Sequence, residues 1–335
     1  MKLGVVLGAG GTVGLAYEAG VLMALKELGG VDAAGADLLV GTSAGSIVAA
    51  HLRSGWSVED LWRSARGEQP NLLGATEEEA SRRRDELLPP AFGSPADALL
   101  RVVGSGWILG RSLIRFPMPH LPGLAWVLPS GMLTMSSAND VFAENLPEAW
   151  PERDVWLPAV DTVSGRRVVF GRPGAPQATL HQAVMASCAV PGVFAPVRIG
   201  RRILVDGGID STSHLDLAVK GGCDLVITVA PMAFTPDDPP DLLHQALRRV
   251  PTRWLAKEAA YARARDVEVL LLRPTAAEVA IHGINFLRRD RWASIADAAY
   301  QATAAALATD RFRTALDRRR AAREPTRRGE RDRPS

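Results

Sequence analysis

Apolar and polar positions along the 335-residue chain follow two rhythms. Leu3-Gly4-Val5-Val6-Leu7 and Leu38-Leu39-Val40 are short, nearly unbroken apolar runs, the pattern of strands buried on both faces. Between them Leu15, Ala19, Leu22, Met23 and Leu28 recur at helical spacing, and Ala44 to Arg53 forms a second helical segment. Ser57 with Asp60 predicts a capped start to the next helix, and Thr76 to Leu88, acids first and arginines later, predicts another that Pro89-Pro90 stops. Further on, Val155 to Phe170 reads as a hairpin turning at Ser164-Gly165, and Thr179 to Ser187 as a helix ending before Pro191. Leu225 to Val229 and Val267 to Leu272 read as strands, Leu242 to Ala264 and Ser294 to Leu316 as helices. Strands alternating with helices from the start predict one α/β domain, residues 1–316, on a mainly parallel sheet.

One stretch departs from this alternation. From about residue 94 to 135 the chain is apolar and aromatic, but Arg101, Arg111 and Arg115 interrupt its first half and Pro117, Pro119, Pro122 and Pro129 its second. No uninterrupted apolar helix of about 20 residues exists there, which excludes a membrane span and leaves a cap insertion. Whether the cap is structural or forms an acyl-chain channel or a lipid-interface lid is open at this point.

Composition changes the picture only at the C-terminus. Residues 317–335 hold eight Arg and four acids, so the formal charge of +2 divides into a basic, Pro-containing tail expected to be disordered and a nearly neutral body. Weak attraction of that tail to anionic lipid is the alternative to plain solvation. Arginine supplies nearly all the positive charge, which alone gives no reason to infer a nucleic-acid partner. Cys188 and Cys223 are the only cysteines, too few for a disulfide framework or zinc cluster, and no cluster at ligand spacing suggests a metal or another cofactor. Met1-Lys2 leads straight into the first strand and its glycine loop, so a cleavable signal is not expected and a cytoplasmic location is.

The chemistry concentrates in three places. Gly41-Thr42-Ser43-Ala44-Gly45 directly follows a strand, the setting of a nucleophile elbow in which a sharp strand-to-helix turn presents Ser43 and tolerates only small neighbours at Gly41 and Gly45. Gly8-Ala9-Gly10-Gly11-Thr12-Val13-Gly14 joins the first strand to the first helix and exposes backbone N–H groups at the helix's positive end, where an oxyanion can be held. Arg202 to Asp206 is a short strand ending in an acid followed by Gly207 and Gly208, which let backbone crowd the carboxylate. Burial beside a serine would raise the pKa of Asp206 towards useful basicity.

Together with the segment Ala186 to Val197, these motifs make the chain resemble the patatin-like phospholipases, serine acyl hydrolases that use a Ser-Asp dyad without histidine. The resemblance implies a three-layer α/β/α fold, Ser43 as nucleophile, Asp206 as general base and the amides of Gly10, Gly11 and Thr12 as oxyanion hole. It also implies a phospholipid or other acyl-lipid ester substrate, with peripheral membrane contact a further expectation. One position departs from the pattern: the family's loop usually has a basic residue before its last glycine, where this chain has Val13, which bears on loop rigidity and rate.

Three other readings compete. A dinucleotide site needs a third glycine where Val13 stands and an acid ending the second strand, whereas Asp32 precedes that strand. A Ser-His-Asp triad could draw on His214, His244 or His282, of which His214 is nearest Asp206 in sequence. A catalytically degenerate lipid-binding or regulatory protein would keep the fold, with Val13 its best support.

Overall fold

The computed structural model describes residues 1–68, 93–113, 131–133 and 142–323. β1 (Leu3–Leu7) runs into α1 (Gly11–Glu27), and β2 (Leu38–Gly41) into α2 (Ala44–Arg53) and α3 (Val58–Ala65). After α4 (Pro95–Leu113) come β3 (Val155–Asp161), β4 (Arg167–Phe170), α5 (Leu180–Cys188), β5 (Val197–Ile199) and β6 (Arg202–Asp206). The remainder is α6 (Leu215–Lys220), β7 (Leu225–Val229), α7 (Leu242–Arg263), β8 (Glu268–Leu272), α8 (Ala276–His282), α9 (Trp292–Leu307) and α10 (Asp310–Arg323).

Among the described residues the strands form one sheet in the order β5-β6-β3-β2-β1-β7-β8, with β4 also paired to β3. The run from β3 to β8 is parallel throughout, while β4, β5 and β6 join antiparallel. Period-two alternation divides the sheet's side chains between two cores. Leu3, Val5, Leu7, Leu39 and Ile227 pack with α1, α2 and α9, whereas Val6, Val40, Val226 and Val269 pack with α6 and α7. Three layers result, and the parallel arrangement puts the β1–α1 and β2–α2 turns side by side at one sheet end.

Local chemistry sets the helix starts. Ser57 with Asp60, Thr179 with Gln182 and Thr275 with Glu278 each form a reciprocal capping box. α1 is buried on nearly all sides, Glu18 included, and neither carboxyl oxygen of Glu18 has a partner among the described residues. Burial therefore drives its pKa far above the usual carboxylate range.

The segment expected to be one helix from Ser294 to Leu316 is two. The Thr309 hydroxyl donates to Ala306 O at 2.7 Å and closes α9, and Asp310 begins α10. α10 continues past Leu316 to Arg323, anchored by the buried Arg319 and by Arg320, which donates to Gly29 O at 2.9 Å. The expected helix at residues 76–88, most of the cap insertion and residues 324–335 lie outside the described residues. Of the insertion, α4 leaves Leu99, Leu100, Val102 and Val103 exposed, and Leu133 bridges to Phe194. No helix among the described residues is long and apolar enough to cross a membrane.

Candidate active site

Ser43 occupies the turn between β2 and α2 with φ 53° and ψ −118°, a left-handed conformation that costs a non-glycine residue about 1–3 kcal/mol and needs support from its surroundings. Support comes from both sides of its backbone. Ser43 N donates to Ser187 Oγ at 3.1 Å, and Ser187 Oγ donates to Pro158 O at 2.8 Å. Ser43 O accepts from Ser46 Oγ at 2.6 Å and Cys188 Sγ at 3.3 Å. The flanking glycines are demanded by crowding: a Cβ on Gly45 would lie 2.1 Å from Leu7 O, and one on Gly41 would lie 2.3 Å from Gly45 O.

Asp206 ends β6, in register with Ala159 of β3, and is 3% exposed. Its Oδ1 accepts from Gly208 N at 2.6 Å, and its own N donates to Ala189 O at 2.9 Å. The two following glycines are again steric: a Cβ on Gly207 would lie 2.5 Å from Pro158 O, and one on Gly208 would lie 2.9 Å from Asp206 Oδ1 and 3.3 Å from Ala9 Cβ. Burial pushes the Asp206 carboxyl up to about 6, while the nearby Ser43 hydroxyl and the Gly208 amide act in the opposite direction. Asp206 Oδ2 is buried and accepts no hydrogen bond among the described residues.

The end of α5 joins the two residues, because Ser187 and Cys188 grip the Ser43 backbone while Ala189 holds Asp206. Cys188 is itself unsuited to attack: burial, with the charge of Asp206, drives its thiol pKa far upward.

The glycine loop adjoins this pair. Gly8 N donates to Val229 O, Ala9 N to Thr212 O, Val13 N to Phe286 O and Gly14 N to Gly10 O. Between them the amides of Gly10, Gly11 and Thr12 donate to no group among the described residues. They stand at the start of α1, where unpaired N–H groups and the helix dipole favour negative charge.

Val13 is buried in the core, and the bracing of the loop comes from elsewhere. Thr12 Oγ1 donates to Arg288 O at 2.8 Å, and Gly11 has φ 59°, with Phe286 O 2.4 Å from where its Cβ would be. Behind the loop the fully buried Arg248 donates to the carbonyls of Pro231 and Ala233 and to His282 Nδ1, with its guanidinium 5.2 Å from the Phe286 ring centroid. Pro231 in turn lies under the loop, 2.8 Å from where a Gly10 Cβ would stand. Burial lowers the Arg248 pKa to about 10, so it remains charged at neutral pH. Arg248→Met should cost roughly 1–3 kcal/mol in a urea titration, through carbonyls left unpaired. It should also lower kcat on a soluble ester about tenfold, a part of the loss that deleting one oxyanion donor causes.

The histidines are occupied elsewhere. His214 Nδ1 lies 2.9 Å from Thr42 Oγ1 and His214 Nε2 3.6 Å from Asp210 Oδ2, and the ring makes no hydrogen bond to Ser43 or Asp206. His244 Nδ1 lies 2.5 Å from Asp241 Oδ2, and burial with the Arg248 charge pulls His282 down to about 3. Asp32, the acid a dinucleotide site would need, caps a short turn before β2 and pairs with Lys26 at 3.2 Å.

Residues 5–219, which contain the glycine loop, Ser43 and Asp206, match the sequence profile described as patatin-like phospholipase. The chain belongs to the patatin-like phospholipase family. Solved structures similar to this patatin-like chain include VipD from Legionella pneumophila, 14% identical, covering 95% of this chain and 66% of its own, with a TM-score of 0.43. Human GIVD cytosolic phospholipase A2, in complex with methyl gamma-linolenyl fluorophosphonate, is 14% identical, with coverages of 96% and 59% and a TM-score of 0.41. The ExoU–SpcU complex from Pseudomonas aeruginosa is 20% identical, with coverages of 97% and 67% and a TM-score of 0.28. The patatin-like chain thus spans about three fifths to two thirds of the length of these structures.

Proposed function

We propose that the chain is a serine acyl hydrolase that cleaves carboxylic esters of lipids, of the lipase or phospholipase A type. The observation that carries this reading is the meeting of a strained Ser43 with a buried Asp206 whose pKa is raised to about 6, beside three unspent amides. In the proposed reaction Asp206 takes the hydroxyl proton as Ser43 Oγ attacks the ester carbonyl. The amides of Gly10, Gly11 and Thr12 receive the oxyanion at the positive end of α1. Collapse expels the alcohol, protonated by Asp206, and leaves an acyl group on Ser43. Water, deprotonated by Asp206, then attacks that acyl group, and Asp206 returns the proton to Ser43 Oγ as the bond to it breaks and the carboxylic acid leaves. The lipid character of the substrate comes from family membership and the apolar insertion.

Fatty-acid release from phospholipid and hydrolysis of p-nitrophenyl esters by the purified chain test the reading. Both activities are expected, and both should survive His214→Ala within about tenfold, because that ring supports Thr42 and not the reacting atoms. Folded protein that binds phospholipid without turnover would instead identify a degenerate lipid binder, and a His214→Ala variant that is folded but inactive would restore the triad.

A further inference from the structure

α7 buries one stripe and exposes another of the wrong kind. Arg248, Pro251, Leu255 and Ala259 face the core. At 100° per residue Leu242, Leu243, Ala246, Leu247 and Val250 share a different face. The four larger of these are 82, 57, 45 and 40% exposed in chain order. The loop after α8 adds two more exposed apolar side chains, Ile284 at 59% and Leu287 at 39%.

The position of this apolar surface is specific. The same loop accepts Val13 N on Phe286 O at 3.2 Å and the Thr12 hydroxyl on Arg288 O, so it forms the wall of the glycine loop. The Arg248 guanidinium over the Phe286 ring ties α7 to that wall, so the exposed leucines and Ile284 are carried by the two elements that brace the glycine loop. Exposed arginines edge this surface: Arg249 and Arg253 on α7 and Arg291 after the loop. Asp290 is paired with Arg288 and Asp241 bonds His244, while Asp237 and Asp238 stand exposed ahead of the helix. Exposed leucines edged by arginine are what an interfacial helix presents to a membrane: the apolar face enters the acyl boundary and the cations meet anionic headgroups.

We infer that the first half of α7 and the 284–288 loop form the face by which the protein seats on an anionic phospholipid bilayer, setting the rim of the Ser43 site against the lipid. The inference rests on the lipid-ester reading for its purpose, but its test does not depend on turnover. The full chain carrying Ser43→Ala, which cannot degrade its target, is sedimented with vesicles of phosphatidylcholine alone and of phosphatidylcholine with phosphatidylglycerol. Binding is expected to favour the anionic vesicles and to fall at least about tenfold on adding Leu243→Asp and Leu247→Asp. With Ser43 intact, the same leucine pair should lose vesicle hydrolysis while keeping its melting temperature and its turnover of a short soluble ester.

Unchanged vesicle binding by the double aspartate variant would overturn the assignment of this face, and equal binding to neutral and anionic vesicles would overturn the role of the arginines. Unfolding of that variant would overturn it as well, since it would show the leucines covered by another part of the chain. If the parent chain hydrolyses no ester but its vesicle binding still depends on the two leucines, the hydrolase reading fails and this face stands.

Discussion

Asp206→Asn is expected to lower kcat by roughly 10²–10⁴-fold, the usual contribution of a positioned general base, while leaving the protein folded. The parent protein should show kcat rising with pH through about 6 and level above it, because Asp206 accepts a proton only when ionised and burial has moved its pKa to that value. The residual activity of the variant should lack this limb. Stability should move the other way. An acid whose pKa is higher in the folded protein than in the unfolded chain favours folding at low pH, and that advantage is lost as pH rises from about 4 through about 6. The rise from 3.8 to about 6 corresponds to roughly 3 kcal/mol at neutral pH, so the uncharged asparagine should gain up to that amount in urea titrations at pH 7 and little at pH 4. Slower catalysis with greater stability, both tied to the same ionisation, is a combination that a purely structural aspartate would not produce. A variant with parental kcat would remove Asp206 from the reaction.

Ser43→Ala should have the largest effect on activity, a loss of about 10⁴-fold or more in ester turnover, down to what the remaining amides and binding surface provide. No acyl-enzyme should form. The backbone support of the elbow should persist, because Ser187, Ser46 and Cys188 hold the N–H and carbonyl of residue 43 and not its hydroxyl. A melting temperature close to that of the parent is therefore expected. Substantial turnover by this variant would move the nucleophile to another residue.

The parts of the site readable from sequence are those built from neighbouring residues. A strand followed by a tight turn and a helix needs small residues at fixed places, so Gly41, Ser43 and Gly45 announce themselves within five positions, and Asp206 with its two glycines does so within three. The structure supplies the steric reason at Gly41, Gly45 and Gly207, with the backbone carbonyls of Gly45, Leu7 and Pro158 where a Cβ would stand. What could not be read are supports drawn from distant segments. Phe286 is more than 270 residues from the loop it braces, and Arg248 looks in sequence like one more arginine on a basic helix although it is buried behind that loop. Ser187 and Cys188 lie in a segment that signals family resemblance, but their grip on Ser43 exists only once α5 packs against the elbow.

The fold divides in the same way. Apolar periodicity placed the parallel strands, Ser57 with Asp60 marked the start of α3, and the helix expected from Thr179 to Ser187 lies within a residue of α5, since these signals are local. The break between α9 and α10 turns on one threonine hydroxyl bonding back to Ala306, and the continuation of α10 to Arg323 on contacts made by arginines that composition assigned to solvent. Glu18 is the converse case, a charged residue type that α1 carries into the core because helices pack around it on several sides.

The central claim is that Ser43 is a nucleophile activated by Asp206. Its most direct test is labelling of the purified protein with a fluorophosphonate probe and mass mapping of the adduct, in the parent, Ser43→Ala and Asp206→Asn proteins. A single adduct on Ser43, absent from Ser43→Ala and formed much more slowly in Asp206→Asn, is the predicted result. Folded parent protein that acquires no adduct, or one that maps to another residue, would contradict the claim.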